Sequence, residues 1–143
     1  MLKGQVQHGL DAKGRLILPA RFREDLGSSF CLTKGFENCL YIYPMEEWEA
    51  FSAKLEALPP FSNKARRLKR HFIGCSEDIE LDKQGRFLIP QPLRAYAKIE
   101  KDVTIIGMMD HVEIWSSLYY QDYEEEEEES ISDIAEDLVS WGE

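Results

Sequence analysis

A chain of 143 residues with 43% hydrophobic content is long enough to build one shared core, while its apolar runs are too short to span a bilayer. Its formal net charge of −10 argues at first against a nucleic-acid partner, but the charge is segregated: residues 122–143 carry 11 acidic side chains and no Lys or Arg, leaving residues 1–121 at a net of +1. Three cysteines without C-x-x-C spacing and the lack of a cationic leader give a cytoplasmic protein as the expectation, with no membrane partner.

In chain order, residues 5–10 are predicted as a strand. Residues 11–14 form a tight turn, with Asp11 capping it and Gly14 at its last position. A strand resumes at 15–18, Pro19 stops it and opens a short helix, and Gly27 ends that helix. Strands at 30–34 and 40–43 flank a turn at 35–38. Pro44 then opens a helix to about residue 58, whose apolar stripe is Trp48, Phe51, Leu55 and Leu58. After Pro59-Pro60, a linking helix at 63–73 has Ala65, Leu68 and Phe72 as its apolar face; the rest of its surface is Lys64, Arg66, Arg67, Lys69 and Arg70. A further helix starts near residue 117 and runs into six consecutive glutamates, 124–129. Beyond them Ile131, Ile134, Leu138 and Val139 recur at helical spacing, behind a Ser130/Asp133 capping pattern.

These elements occur twice. Leu-Asp-Ala-Lys-Gly-Arg-Leu-Ile-Leu-Pro at 10–19 matches Leu-Asp-Lys-Gln-Gly-Arg-Phe-Leu-Ile-Pro at 81–90, at an offset of 71 that also pairs Arg23 with Arg94. At an offset of 72 the segment 31–43 matches 103–115, setting Cys31 against Val103, Gly35 against Gly107, Ile42 against Ile114 and Tyr43 against Trp115. Self-similarity at a fixed spacing marks a duplicated module. The expected division is a first module at 5–51, a linking helical segment at 52–75, a second module at 76–121, and an acidic tail with an amphipathic helix at 122–143.

The tandem Asp-x-x-Gly-Arg turns, each followed by an apolar strand and Pro, resemble the MraZ family of bacterial transcriptional regulators, over about residues 1–118. The resemblance implies an α+β, mainly β fold: a duplicated AbrB-like swapped-hairpin β-barrel with short flanking helices. It implies sequence-specific binding to short G-rich direct repeats in the promoter of the division and cell-wall gene cluster. It also implies a ring-shaped homo-oligomer associated with the nucleoid. The tail lies outside the matched span, and its role does not carry over.

The residues support the DNA reading on their own terms. Arg15 and Arg86 each leave a tight turn at a strand start, and an arginine on a ribbon in the major groove can donate two bonds to guanine. Lys13, Lys83, Arg21, Arg23 and Arg94 stand close enough in sequence to bind phosphate. A structural use competes: Arg15 with Asp11, and Arg86 with Asp82, could simply lock the turns. The basic helix, with Lys64, Arg66, Arg67, Lys69 and Arg70, could meet phosphate, face solvent, or pair with acids of a neighbouring subunit. No nucleophile elbow, P-loop, dinucleotide fingerprint or H-E-x-x-H is present, so neither an enzyme nor a small-molecule substrate or cofactor is expected. The cysteine spacing is not that of a zinc site, and no metal is expected. The competing function is an AbrB-type antitoxin whose acidic tail binds a toxin partner.

Overall fold

The computed structural model describes residues 1–138. Its elements are β1 (Leu2–Gly9), β2 (Arg15–Ile17), α1 (Ala20–Leu26), β3 (Ser29–Lys34), β4 (Leu40–Pro44), α2 (Met45–Glu56), α3 (Asn63–Phe72), β5 (Glu77–Glu80), β6 (Arg86–Leu88), α4 (Gln91–Tyr96), β7 (Asp102–Met109), β8 (Val112–Ser116), α5 (Ser117–Glu126) and α6 (Ile131–Asp137). Prolines 19, 44 and 90 act as predicted: each stands at the N-cap of the helix that follows a strand. Gly27 ends α1 with a φ of 75°. Ser130 caps α6 by accepting from the Asp133 backbone N–H; Val139, predicted to close that helix, lies outside the described residues.

Six strands form one antiparallel sheet in the order β1-β7-β8-β4-β3-β5, and β2 and β6 form a separate two-stranded ribbon. This is an α+β architecture. The sheet is open, with β1 and β5 at its edges, and no closed barrel forms among the described residues. The two copies interlock. Strand β1 of the first pairs with β7 of the second, while β5 of the second pairs with β3 of the first.

The pairing registers are related by a pseudo-twofold. Leu40 faces Ile114, and their counterparts Val112 and Ile42 face each other. Arg15 faces Leu88, and Ile17 faces Arg86 in the same way. The axis therefore runs through the Leu16–Phe87 pair in the ribbon and the Tyr41–Glu113 pair in the sheet.

This symmetry corrects the offset expected between the third strands. Ser29 pairs with Glu80 and Asp102 with Gly9, while Phe30 pairs with Ile79 and Val103 with His8. Strand β7 thus matches β3 at 73, not 72: Val103 is the counterpart of Phe30, and Thr104 that of Cys31. The β7–β8 turn is one residue shorter than the β3–β4 turn, and a slip of one residue would move every side chain of the strand to the opposite face.

Alternation divides the side chains between two cores. On one face Leu32, Leu40, Ile42, Val103, Ile105 and Ile114 pack with Leu16, Leu18, Phe87 and Ile89 of the ribbon region and with Phe22 and Leu93 of α1 and α4. Phe30 meets Phe87 edge-on at 5.2 Å, tying ribbon to sheet. On the other face Tyr41, Tyr43 and Trp115 pack with Leu55, Phe72 and the partly buried Trp48, Phe51, Tyr119 and Tyr123 of α2, α3 and α5. The stripe predicted for the linking helix is only partly buried: Ala65 and Phe72 are inside, but Leu68 is exposed.

Candidate nucleic-acid interface

Asp-x-x-Gly-Arg folds into the same turn twice. Asp11 Oδ1 accepts the backbone N–H groups of Lys13 and Arg15, both at 2.9 Å. Gly14 N–H donates back to the Asp11 carbonyl at 3.0 Å. Asp82 repeats each bond with Gln84, Arg86 and Gly85 at 2.9, 2.9 and 3.0 Å. The arginine side chains then close on the same carboxylates, Arg15 Nε donating to Asp11 Oδ2 at 2.7 Å and Arg86 Nε to Asp82 Oδ2 at 2.9 Å. The Arg15 backbone N–H, helped by its guanidinium and the Lys13 N–H, holds the Asp11 carboxyl down to about 2 against some desolvation. Asp82 is lowered by the same groups of its own turn.

Both uses foreseen for these arginines are compatible. The carboxylate occupies Nε, and among the described residues the Nη groups of Arg15 and Arg86 have no hydrogen-bond partner. A guanidinium has five N–H donors, so each arginine is held at its stem with four donors left for a ligand.

The ribbon presents both arginines on one side. Leu16 and Phe87 point into the core, so their neighbours point out. Arg15, Ile17, Arg86 and Leu88 form the outward face, where the two arginines are diagonal neighbours about 7–8 Å apart between α-carbons. Lys13 and Lys83 stand exposed in the two turns and make no ion pair among the described residues.

Arg23 and Arg94 have a different setting. Arg23 Nε donates to the Leu18 carbonyl at 2.8 Å and Arg94 Nε to the Ile89 carbonyl at 2.9 Å. Each guanidinium then lies over the turn glycine of the other copy: a Cβ on Gly85 would meet Arg23 Cζ at 2.7 Å, and one on Gly14 would meet Arg94 Cζ at 2.8 Å. Both glycines have positive φ, 86° and 75°, so glycine is required there for backbone and for space. Reciprocal backbone bonds complete the clasp, from Leu18 N–H to the Gly85 carbonyl and from Ile89 N–H to that of Gly14. Arg21 lies against Gly4 of β1.

The basic helix is not brought to this surface. Phe72 seats α3 in the second core, so Lys64, Arg66, Arg67, Lys69 and Arg70 lie on the sheet face opposite the ribbon. Cys31 and Cys39 behave as buried structural groups: burial pushes the Cys31 thiol up to about 12 and raises Cys39 as well. Two features of the site were not foreseen, the outward Ile17 and Leu88 and the cross-copy seats of Arg23 and Arg94. Both depend on β2 pairing with β6, which no local pattern reveals.

Comparison with known proteins places this double turn. The model of a family described as "MraZ protein, putative antitoxin-like" matches residues 1–71 and again 72–141. The chain belongs to the MraZ family. A protein named transcriptional regulator MraZ from a Thermoanaerobacter species is 51% identical over 138 residues, 96% of each chain. Its namesakes from Caldanaerobacter subterraneus and Lactiplantibacillus plantarum are 49% and 45% identical over 141 residues, 99% of this chain and 99% and 100% of theirs. The family match extends past residue 118 and takes in most of the acidic tail. In the second repeat α5 follows β8 as α2 follows β4 in the first.

Proposed function

We propose that this protein is a transcriptional regulator that binds DNA through the outward face of the β2–β6 ribbon. One observation carries the reading: two pseudo-symmetric arginines, each held at Nε, share one exposed surface with their remaining donors free. A two-stranded ribbon fits the major groove, where arginine reads guanine O6 and N7. Lys13 and Lys83 at the turns supply phosphate contacts, and Arg21 on α1 is a further candidate. Arg23 and Arg94 serve mainly to shape the turns. The crossed pairing of β1 with β7 and of β5 with β3 supports an AbrB-type swapped arrangement within one chain, with modules at 5–51 and 76–121. Family membership supports a site of short G-rich direct repeats upstream of the division and cell-wall gene cluster, and action at the nucleoid.

The working form is a ring of identical subunits. The first repeat ends in the basic α3 and the second in the acidic stretch through α6, so the two ends of one chain are complementary. At the first end α3 covers the helical face; at the second a cleft of about 990 Å³ opens between β1 and α5, lined by Gln5, Gln7, Thr104, Tyr119 and Asp122. Exposed Phe61 just before α3, Leu68 on it and exposed Leu118 on α5 give a head-to-tail contact an apolar component. Such contacts close into rings when the rotation permits. A ring offers several ribbons to successive repeats, and avidity then offsets weak single contacts.

A shift assay tests the reading: the full chain should retard a duplex of G-rich direct repeats and leave a scrambled duplex free at the same salt. Equal retardation of both would overturn it. The antitoxin alternative draws on the wording of the family description and on the exposed Ile131 and Leu138 of the tail. It predicts instead a stable complex with a toxin protein through residues 122–143.

A further inference from the structure

Resting on the reading above, we infer that Ile17 and Leu88 are specificity-determining residues that read thymine methyl groups beside the guanines met by Arg15 and Arg86. The outward face of the ribbon holds four side chains, and two of them are branched aliphatics. Ile17 is 41% exposed and Leu88 51%, while Leu16 and Phe87 between them fill the core. Solvent alone gives no reason for apolar side chains at both outward positions that arginine leaves. The pseudo-twofold makes the two equivalent, since each stands directly across the ribbon from the other copy's arginine.

The chemistry of the groove selects the ligand. The major-groove edges of the four bases offer donors, acceptors and one apolar group, the C5 methyl of thymine. Successive outward pairs on a strand lie about 6.6 Å apart, close to two base-pair steps of about 3.4 Å. An arginine fork on guanine therefore carries the facing aliphatic side chain over a base one or two steps away. A thymine there buries its methyl against Ile17 or Leu88; a cytosine leaves that side chain nothing apolar to meet. The arginines alone would read only guanine; with the aliphatics, the ribbon distinguishes guanine next to thymine from guanine next to cytosine.

The test compares the full-length wild-type chain on two duplexes by fluorescence anisotropy at one salt concentration. One carries the G-rich direct repeats from upstream of its own gene, and the other is the same sequence with every thymine in the repeats replaced by uracil, which removes only the methyl. The expected result is weaker binding of the uracil duplex, by about fourfold per engaged methyl, the effect of burying one such group. Ile17→Ala and Leu88→Ala should each narrow the gap between the duplexes while the mass by light scattering stays at the wild-type value. Wild-type binding that is equal on the two duplexes, yet still prefers repeats to a scrambled sequence, would overturn the inference and leave the DNA reading standing. A variant that loses its oligomer instead would assign these side chains to a subunit contact, which also overturns it. Failure to distinguish repeats from scrambled DNA would sink the DNA reading itself.

Discussion

The ribbon and the helical face of this molecule have treated the same duplication in opposite ways. In the ribbon the two copies agree bond for bond: the Asp11 and Asp82 turns match to within about 0.2 Å in every hydrogen bond, and Arg23 and Arg94 exchange equivalent seats. Behind the sheet the ends of the two repeats have diverged to opposite charge, with Lys64, Arg66, Arg67, Lys69 and Arg70 on α3 of the first and Glu124, Glu125 and Glu126 on α5 and Asp133, Glu136 and Asp137 on α6 of the second. A surface whose halves stay equivalent suits a ligand with repeated features. A pair of surfaces that become complementary suits contact between one copy of the chain and the next.

The largest effect should come from breaking the divergent side. If the proposed ring forms, reversing Lys64, Arg67 and Arg70 to Glu should split it toward the 16.6 kDa chain in light scattering. Affinity for repeat DNA should fall by about 10²–10⁴-fold as avidity is lost. Mixing that variant with a chain carrying Glu124→Lys, Glu125→Lys and Glu128→Lys should restore assembly; no restoration would mean that the opposite charges do not meet.

Next come the equivalent glycines. Gly14→Ala and Gly85→Ala should each cost about 1–3 kcal/mol in urea denaturation, because each forces a strained φ. Each also drives a Cβ into the other copy's guanidinium. Gly27→Ala meets no atom within 4 Å, so any cost it shows is that of the backbone alone, at φ 75° and ψ −170°. A large difference between Gly14 and Gly85 would break the equivalence of the turns.

Acid should weaken both turns together. The folded Asp11 carboxyl is depressed, so its contribution is complete above its ordinary value of 3.8 and is lost as pH falls through about 2. Asp82 shifts in the same direction. Thermal melts from pH 5 downward should show this loss, and Asp11→Asn with Asp82→Asn should flatten it. The smallest effect belongs to the turn lysines. Lys13→Ala should reduce the slope of log affinity against log salt by about 0.9 for each phosphate contact removed, without altering preference between repeat and scrambled DNA.

Much of this was legible in the sequence, because the decisive signals are local. Asp at the head of each turn, Gly at its end and Pro after the strand dictate the hairpin-like geometry within ten residues. The helices behind Pro19, Pro44 and Pro90 follow in the same way. What stayed hidden depends on contacts distant in sequence. Arg23 looks like a free cation until Gly85 of the other copy is seen beneath it, and Leu68 looks like core until α3 is seen to bury Phe72 and Ala65 instead. An offset of 72 matches Gly35 with Gly107, but those glycines answer different needs. Gly35 makes room for the Tyr41 ring, and Gly107 for the backbone of Leu2 and Lys3 in the neighbouring strand. Matching glycines misplaced a strand that the register places without ambiguity.

The central claim is that one outward ribbon face, built equally by both copies, meets the DNA. Affinity of Arg15→Ala, Arg86→Ala and the wild-type chain for repeat and scrambled duplexes, measured at one salt concentration with oligomer mass checked in parallel, tests it most directly. Each substitution should remove about 1–3 kcal/mol of discrimination per engaged subunit, the value of one bidentate guanine contact, while the fold and the oligomer persist. Wild-type discrimination in both well-folded variants would contradict the account.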